Sequence, residues 1–149
     1  MKKILLSIAL VLFASFVHAD HPSSIDDPNR KVEISFVFPN GTINKESFSY
    51  FDITNILLKK PLPENIYVDT YKIDWWVYGA LQHFNLPFEV RTEGQTGLWK
   101  SVITKIGEYS NRAEGTWVYF VNGIKSKYHI STQLDEGLKR IKFVFKKAK

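Results

Sequence analysis

The sequence predicts an α+β domain in which a small mixed sheet is wrapped around one main helix, and three observations carry that prediction. An alternating stretch, Lys31 to Phe38, runs into an Asn40-Gly41 pair that favours a tight hairpin turn. One apolar stripe of helical period, Ile73, Trp76, Val77, Ala80, Leu81 and Phe84, lies near the middle of the chain. Two further alternating stretches, Gly115 to Val121 and Arg140 to Lys146, follow it. Hairpin, packed helix and closing strands form the element order of a β-grasp-like domain.

The first strand places Val32, Ile34, Phe36 and Phe38 on one face and Glu33, Ser35 and Val37 on the other. Asn40-Gly41-Thr42 also matches a glycosylation acceptor, but the backbone demand of a hairpin is sufficient reason for Asn-Gly there. Phe48 to Ile53 is expected to return as a second strand, Leu57 to Asn65 as a proline-broken connection, and Ile66 to Thr70 as a short strand or extended approach. Asp74 is the expected N-cap of the only substantial helix, which reaches Phe84 and is stopped by Asn85, Leu86 and Pro87. Beyond it the expected elements are a strand from Phe88, a loop over Glu93 to Gly97, an extended β-branched run to Ile106 and a polar surface loop from Gly107 to Gly115.

The stretch GTWVYFVNG, residues 115 to 123, ends in a second Asn-Gly turn, which sets a register. A two-residue turn pairs Val121 with Ile124, Tyr119 with Ser126 and Trp117 with Tyr128, and sets Phe120 opposite Lys125 and Val118 opposite Lys127. Trp117, Tyr119 and Val121 then look inward, and Phe120 lies on a lysine-flanked face that is at most half covered.

The N-terminus reads as an export signal. Lys2 and Lys3 precede an apolar run from Ile4 to Phe16 that is short for a membrane span, and Val17-His18-Ala19 supplies a signal peptidase site. The expected organisation is a signal peptide at 1–19, a flexible leader at 20–30 (DHPSSIDDPNR) and one domain at 31–149. The competing reading is an uncleaved N-terminal anchor. The chain has no cysteine, which excludes a lipid-modified cysteine and leaves stability to packing alone. The expected location is therefore periplasmic or secreted, with no stable membrane anchor after cleavage.

Composition argues against two classes of function. Losing Lys2 and Lys3 lowers the formal net charge from +5 to +3, and the remaining basic residues are scattered apart from the Lys146 to Lys149 tail, so no nucleic-acid partner is expected. An enzyme needs a nucleophile with a base, a carboxylate pair or a metal cluster. His21, His83 and His129 form no metal-ligand spacing, Asp26-Asp27 and Asp135-Glu136 suit solvated turns, and no glycine-rich phosphate loop is present. The expectation is a non-catalytic protein with no cofactor and no metal.

Aromatic placement is the feature that exceeds structural need. Trp75 and Tyr78 are i, i+3 neighbours off the helical stripe and form an expected aromatic edge, while Trp76 enters the core. Trp99 sits in the small, polar setting GQTGLWKS. With Trp117 and Tyr119 behind them, these residues suit either a small flat or apolar ligand or a protein partner of the envelope or a host. They equally suit filler between sheet and helix.

Four segments resemble one family. Ile73 to Phe84, Phe88-Glu89-Val90, Val102 to Gly107 and Gly115-Thr116-Trp117-Val118-Tyr119-Phe120-Val121-Asn122-Gly123 are together similar to the DUF4430, or transcobalamin-like C-terminal, domain family. The resemblance spans about Val32 to Phe145 and rests most on Trp-x-Tyr-x-Val-Asn-Gly downstream of the helix. It departs at Asp135-Glu136-Gly137 and at Lys105-Ile106-Gly107, where the family shows other turns. It implies a β-grasp-like fold and a corrinoid-like ligand held against aromatic residues of the module, as in two-domain vitamin B12 carriers.

Overall fold

The structure, a computed structural model, describes residues 27, 29–64, 66, 68, 70, 72–93, 100–131 and 135–149. The expected signal peptide, most of the leader and Trp99 lie outside the described residues. The fold is α+β with strands in the majority. In chain order the elements are β1 (Lys31–Val37), β2 (Ile43–Ser49), α1 (Tyr50–Lys59), α2 (Ile73–His83), β3 (Phe88–Glu93), β4 (Lys100–Ile106), β5 (Tyr109–Ser110), β6 (Gly115–Val121), β7 (Ile124–Lys125) and β8 (Arg140–Lys147).

The strands form two sheets, a five-stranded one in the order β2-β1-β8-β6-β7 and a three-stranded one in the order β3-β4-β5. β1 runs parallel to β8, and every other pairing is antiparallel. Alternation sends Val32, Ile34 and Phe36 of β1, with Phe38 just beyond it, and Ile141, Phe143 and Phe145 of β8 into one core, where they meet α2. The second Asn-Gly turn is as expected. Asn122 and Gly123 both take positive φ, 49° and 87°, the left-handed pair that a two-residue hairpin requires. Val121 pairs with Ile124 and Phe120 with Lys125, and Ser126 N–H still donates to the Tyr119 carbonyl (3.0 Å). β7 ends at Lys125, so the expected opposition of Trp117 to Tyr128 is not a strand pair.

Two expectations are corrected here. The segment expected to return as a strand to Ile53 instead turns at Ser49 into a second helix, α1, so α2 is not the only substantial helix. Ser49 and Asp52 form a reciprocal capping box: Asp52 N–H donates to Ser49 Oγ (3.2 Å) and Ser49 N–H to Asp52 Oδ2 (2.7 Å). Ile53 and Leu57, one turn apart, are then buried, and Pro61 follows the helix end. The edge strand β2 is the mostly polar Ile43–Ser49. Asp74 is also not the N-cap of α2. The cap is Lys72, extended and without a side-chain cap bond, while Asp74 lies buried in the first turn. A carboxylate there faces the positive end of the helix dipole.

α2 is buried nearly all round, Ile73, Trp76, Val77, Ala80 and Leu81 on the expected stripe and Tyr78 and Gly79 off it. The sheet covers one side, and α1 and β3 cover the flanks. At Gly79 a Cβ would lie 2.5 Å from Ile53 Cγ2, so the two helices touch where only hydrogen fits. The Trp76 indole N–H donates to Asp135 Oδ2 (3.0 Å), and the Arg30 guanidinium donates to the Asp135 carbonyl (3.0 Å). These bonds tie the helix and the start of β1 to the turn before β8.

Candidate functional site

The aromatic residues singled out in the sequence do not converge. Trp75 is half-buried against Tyr50, rings stacked at 6.1 Å, and its indole N–H has no hydrogen-bond partner among the described residues. Tyr78 is fully buried and stacks on Phe88 at 5.5 Å and 13°. The expected exposed edge of Trp75 and Tyr78 is therefore corrected: β3 brings Phe88 onto a flank of α2 that helical periodicity alone leaves open. Desolvation, then the nearby Asp74 carboxylate, pushes the Tyr78 hydroxyl well above its ordinary pKa. Ser101 lies near enough to oppose that shift, yet no hydrogen bond of full geometry reaches the hydroxyl among the described residues.

Trp117 and Tyr119 do come together, as neighbouring inward positions of β6. Trp117 is 8% exposed and sits edge-on to Phe38 and Phe145, with ring centroids 5.4 and 5.3 Å away. Its indole N–H donates to the Tyr109 carbonyl (2.9 Å). Tyr119 stacks on Phe143 at 5.3 Å; its hydroxyl donates to the Tyr128 carbonyl and accepts from Ser126 Oγ (2.9 Å). Desolvation raises the pKa of that hydroxyl, with the Ser126 bond opposing. Phe120, on the opposite face, is half-buried with the Lys146 ammonium 5.9 Å from its ring centre, as the lysine-flanked reading expected.

Beside these two residues a cleft of about 230 Å³ opens between β6 and β4. Its apolar wall is Val102, Ile103, Ile130 and Phe143, with Val118 bordering it at the β6 edge, and its polar groups come from Ser101, Asn111, Ser126 and His129. Among the described residues no carboxylate lines it. Asn111 closes one end: its side-chain amide donates to the Ile103 carbonyl (3.1 Å) and accepts from Trp117 N–H (2.7 Å), bridging the two sheets. Ser126 closes the other end, accepting from Tyr128 N–H (3.2 Å). Tyr128, at 69% exposure, and Lys125 stand at the mouth. The polar loop expected over residues 107–115 thus contains β5 and the residue that joins the sheets. Nothing in its local pattern marks Asn111, and His129 reads in the sequence as an ordinary surface histidine.

Among the described residues no group of three or more histidine, cysteine, aspartate or glutamate side chains is placed to hold a metal ion. No described helix is long and apolar enough to cross a membrane. No family model matches the chain, and no curated protein matches it. Among solved structures it is similar to a "putative metal binding protein" from Ruminococcus gnavus ATCC 29149, at a TM-score of 0.45 and 13% identity over 80% of this chain and 99% of that one.

Proposed function

We propose that the chain is an exported, non-catalytic binding module of β-grasp-like fold, whose site is the cleft between β6 and β4. The β-grasp reading is supported by the mixed sheet with its parallel β1 and β8 at the centre and helices between its hairpins. The family resemblance to DUF4430 belongs to the same proposal. The observation that carries the site is an apolar-walled cleft, rimmed by hydroxyls, an amide and an imidazole, beside two fixed aromatic residues. At about 230 Å³ it lies below the roughly 300–1,000 Å³ of sites for drug-sized ligands, so the ligand is small, with one apolar side and one hydrogen-bonding side. A corrinoid-like ligand would have to lie across the mouth on Tyr128 rather than enter.

A second reading, a protein partner seated over the mouth, is favoured by Ile124 in β7 and Tyr128 in the segment after it, 75% and 69% exposed. NMR shift mapping with small amphipathic compounds separates the two. Shifts should fall on residues 101–103, 117–119 and 125–130. Their absence, with capture of an envelope protein lost on Tyr128→Ala, would favour the partner, and shifts centred on Trp75 would overturn both. Protein recovered from the exported fraction for that work should begin at Asp20 by intact mass, whereas a mass retaining residues 1–19 would overturn export by cleavage.

A further inference from the structure

The five-stranded sheet has a second face, and its composition is unlike the rest of the molecule. The helices and Tyr109 of the small sheet pack on the face of Phe38, Phe143 and Phe145, and no described element covers the other. Register places Lys45, Ser35, Lys142, Phe120 and Lys125 in one row across all five strands. Beside it runs an apolar row, Ile43, Val37, Val144 and Val118, of which Ile43 is 59% exposed. Arg140 and Lys146 lie on the same face along β8. Ser35, flanked in register by Lys45 and Lys142, is 5% exposed.

Among the described strand residues six cations, Lys31 at the start of β1 included, share this face with one carboxylate, Glu33, a net of +5, whereas the formal net charge of the whole chain without Lys2 and Lys3 is +3. Glu33 is engaged by Lys45 (2.8 Å) and Arg140 (3.1 Å). Lys125, Lys142 and Lys146 have no acidic partner among the described residues.

We propose that this face docks reversibly on an anionic lipid surface. The charges spread in two dimensions, across strands about 4.8 Å apart and along β8 at about 3.3 Å per residue, which makes a plane roughly 20 Å on each side. A linear polyanion or an acidic peptide is held by charges arranged along a groove, and this face has a flat apolar row in that place. A planar array of headgroup phosphates matches it, each lysine adding attraction within about one Debye length of the surface. Ile43, Phe120 and the valines meet the interface between the charged heads. Val118 and Lys125 also border the cleft, so the test uses β8 alone and is independent of the ligand reading.

The experiment is co-sedimentation of the exported form, residues 20–149, with phosphatidylcholine vesicles, with and without phosphatidylglycerol. Binding should require phosphatidylglycerol and fall away near 1 M salt, where the Debye length is about 3 Å. The triple variant Arg140→Gln, Lys142→Gln, Lys146→Gln should lower partitioning on the order of a hundredfold. A control triple of equal charge, Lys59→Gln, Lys100→Gln, Lys149→Gln, should change it by no more than about threefold. Melting curves confirm that both triples fold, and the salt series on the unaltered chain reads the same contact without any substitution. Equal loss in the two triples, no preference for phosphatidylglycerol, or binding to soluble polyglutamate in place of vesicles would overturn the proposal.

Discussion

Tyr78 shows what a single buried hydroxyl does to stability. Its ring is well used, stacked on Phe88, but its hydroxyl is buried without a hydrogen-bond partner of full geometry among the described residues. A polar group in that position costs about 1–3 kcal/mol, so Tyr78→Phe should match or exceed the parent in a denaturant melt, by up to about 1 kcal/mol. The same residue sets the alkaline limb. A tyrosine whose pKa is raised in the folded state stabilises fully below its unfolded value, near 10, and that contribution is lost as pH rises beyond it. Stability should therefore fall above about pH 10, and less steeply in Tyr78→Phe. A variant more than about 1 kcal/mol weaker than the parent would show that the hydroxyl is engaged after all. The residue also marks a limit of sequence reading. Trp76 and Trp117 point inward as alternation and helical period dictate, because a local pattern decides both. The burial of Tyr78 is decided by Phe88, which the chain supplies only after leaving the helix.

Among the elements, α1 was legible in principle. Ser49-Tyr50-Phe51-Asp52 is a capping box, and Ile53 and Leu57 follow at helical spacing. The same letters from Phe48 to Ile53 are also rich in strand-favouring aromatic and β-branched residues, and a run this short cannot separate the two periods. Gly79 carried the second clue. A glycine inside a helix costs about 1 kcal/mol against alanine, and here it permits α1 to approach. Gly79→Ala should consequently destabilise by about 1–3 kcal/mol despite its better helix propensity, since the new Cβ would meet Ile53 Cγ2 at 2.5 Å and Cδ1 at 2.8 Å. Ile53→Val removes Cδ1 and should restore part of the loss, as a double-mutant cycle would read. Additive effects would mean that the helices are free to separate. The hairpin of β6 and β7 needed no such correction, because Asn122-Gly123 specifies its own backbone. Asn122 does more than the turn demands: its side chain accepts from Lys139 N–H (2.8 Å) and Arg140 N–H (3.0 Å), fastening the hairpin to the start of β8.

At the scale of the whole molecule, the two sheets share one core. Ile103 and Ile106 of β4 are buried in it, and Tyr109 of β5 packs on Phe38 and Phe145. Unfolding followed by tryptophan fluorescence and by far-ultraviolet circular dichroism should therefore give one coincident transition. An earlier fluorescence step would show the small sheet melting by itself. The cleft belongs to this scale as well, and that is why it could not be read in advance. Its walls come from residues 101–103, 117–119 and 125–130, brought together by Asn111, and no short window of sequence contains them.

One further property follows from the pairing of β1 with β8. Their five registered positions, Glu33 to Val37 against Arg140 to Val144, lie at the centre of the sheet and run in the same direction. Tension transmitted through the segments before β1 and after β8 would pull these neighbours past each other along their length. The rungs between them would be loaded together, in shear, rather than opened one at a time from an end. β6 and β7, joined by a tight turn at one end, would instead peel. The domain thus has a direction in which it resists force, set by which of its strands are parallel.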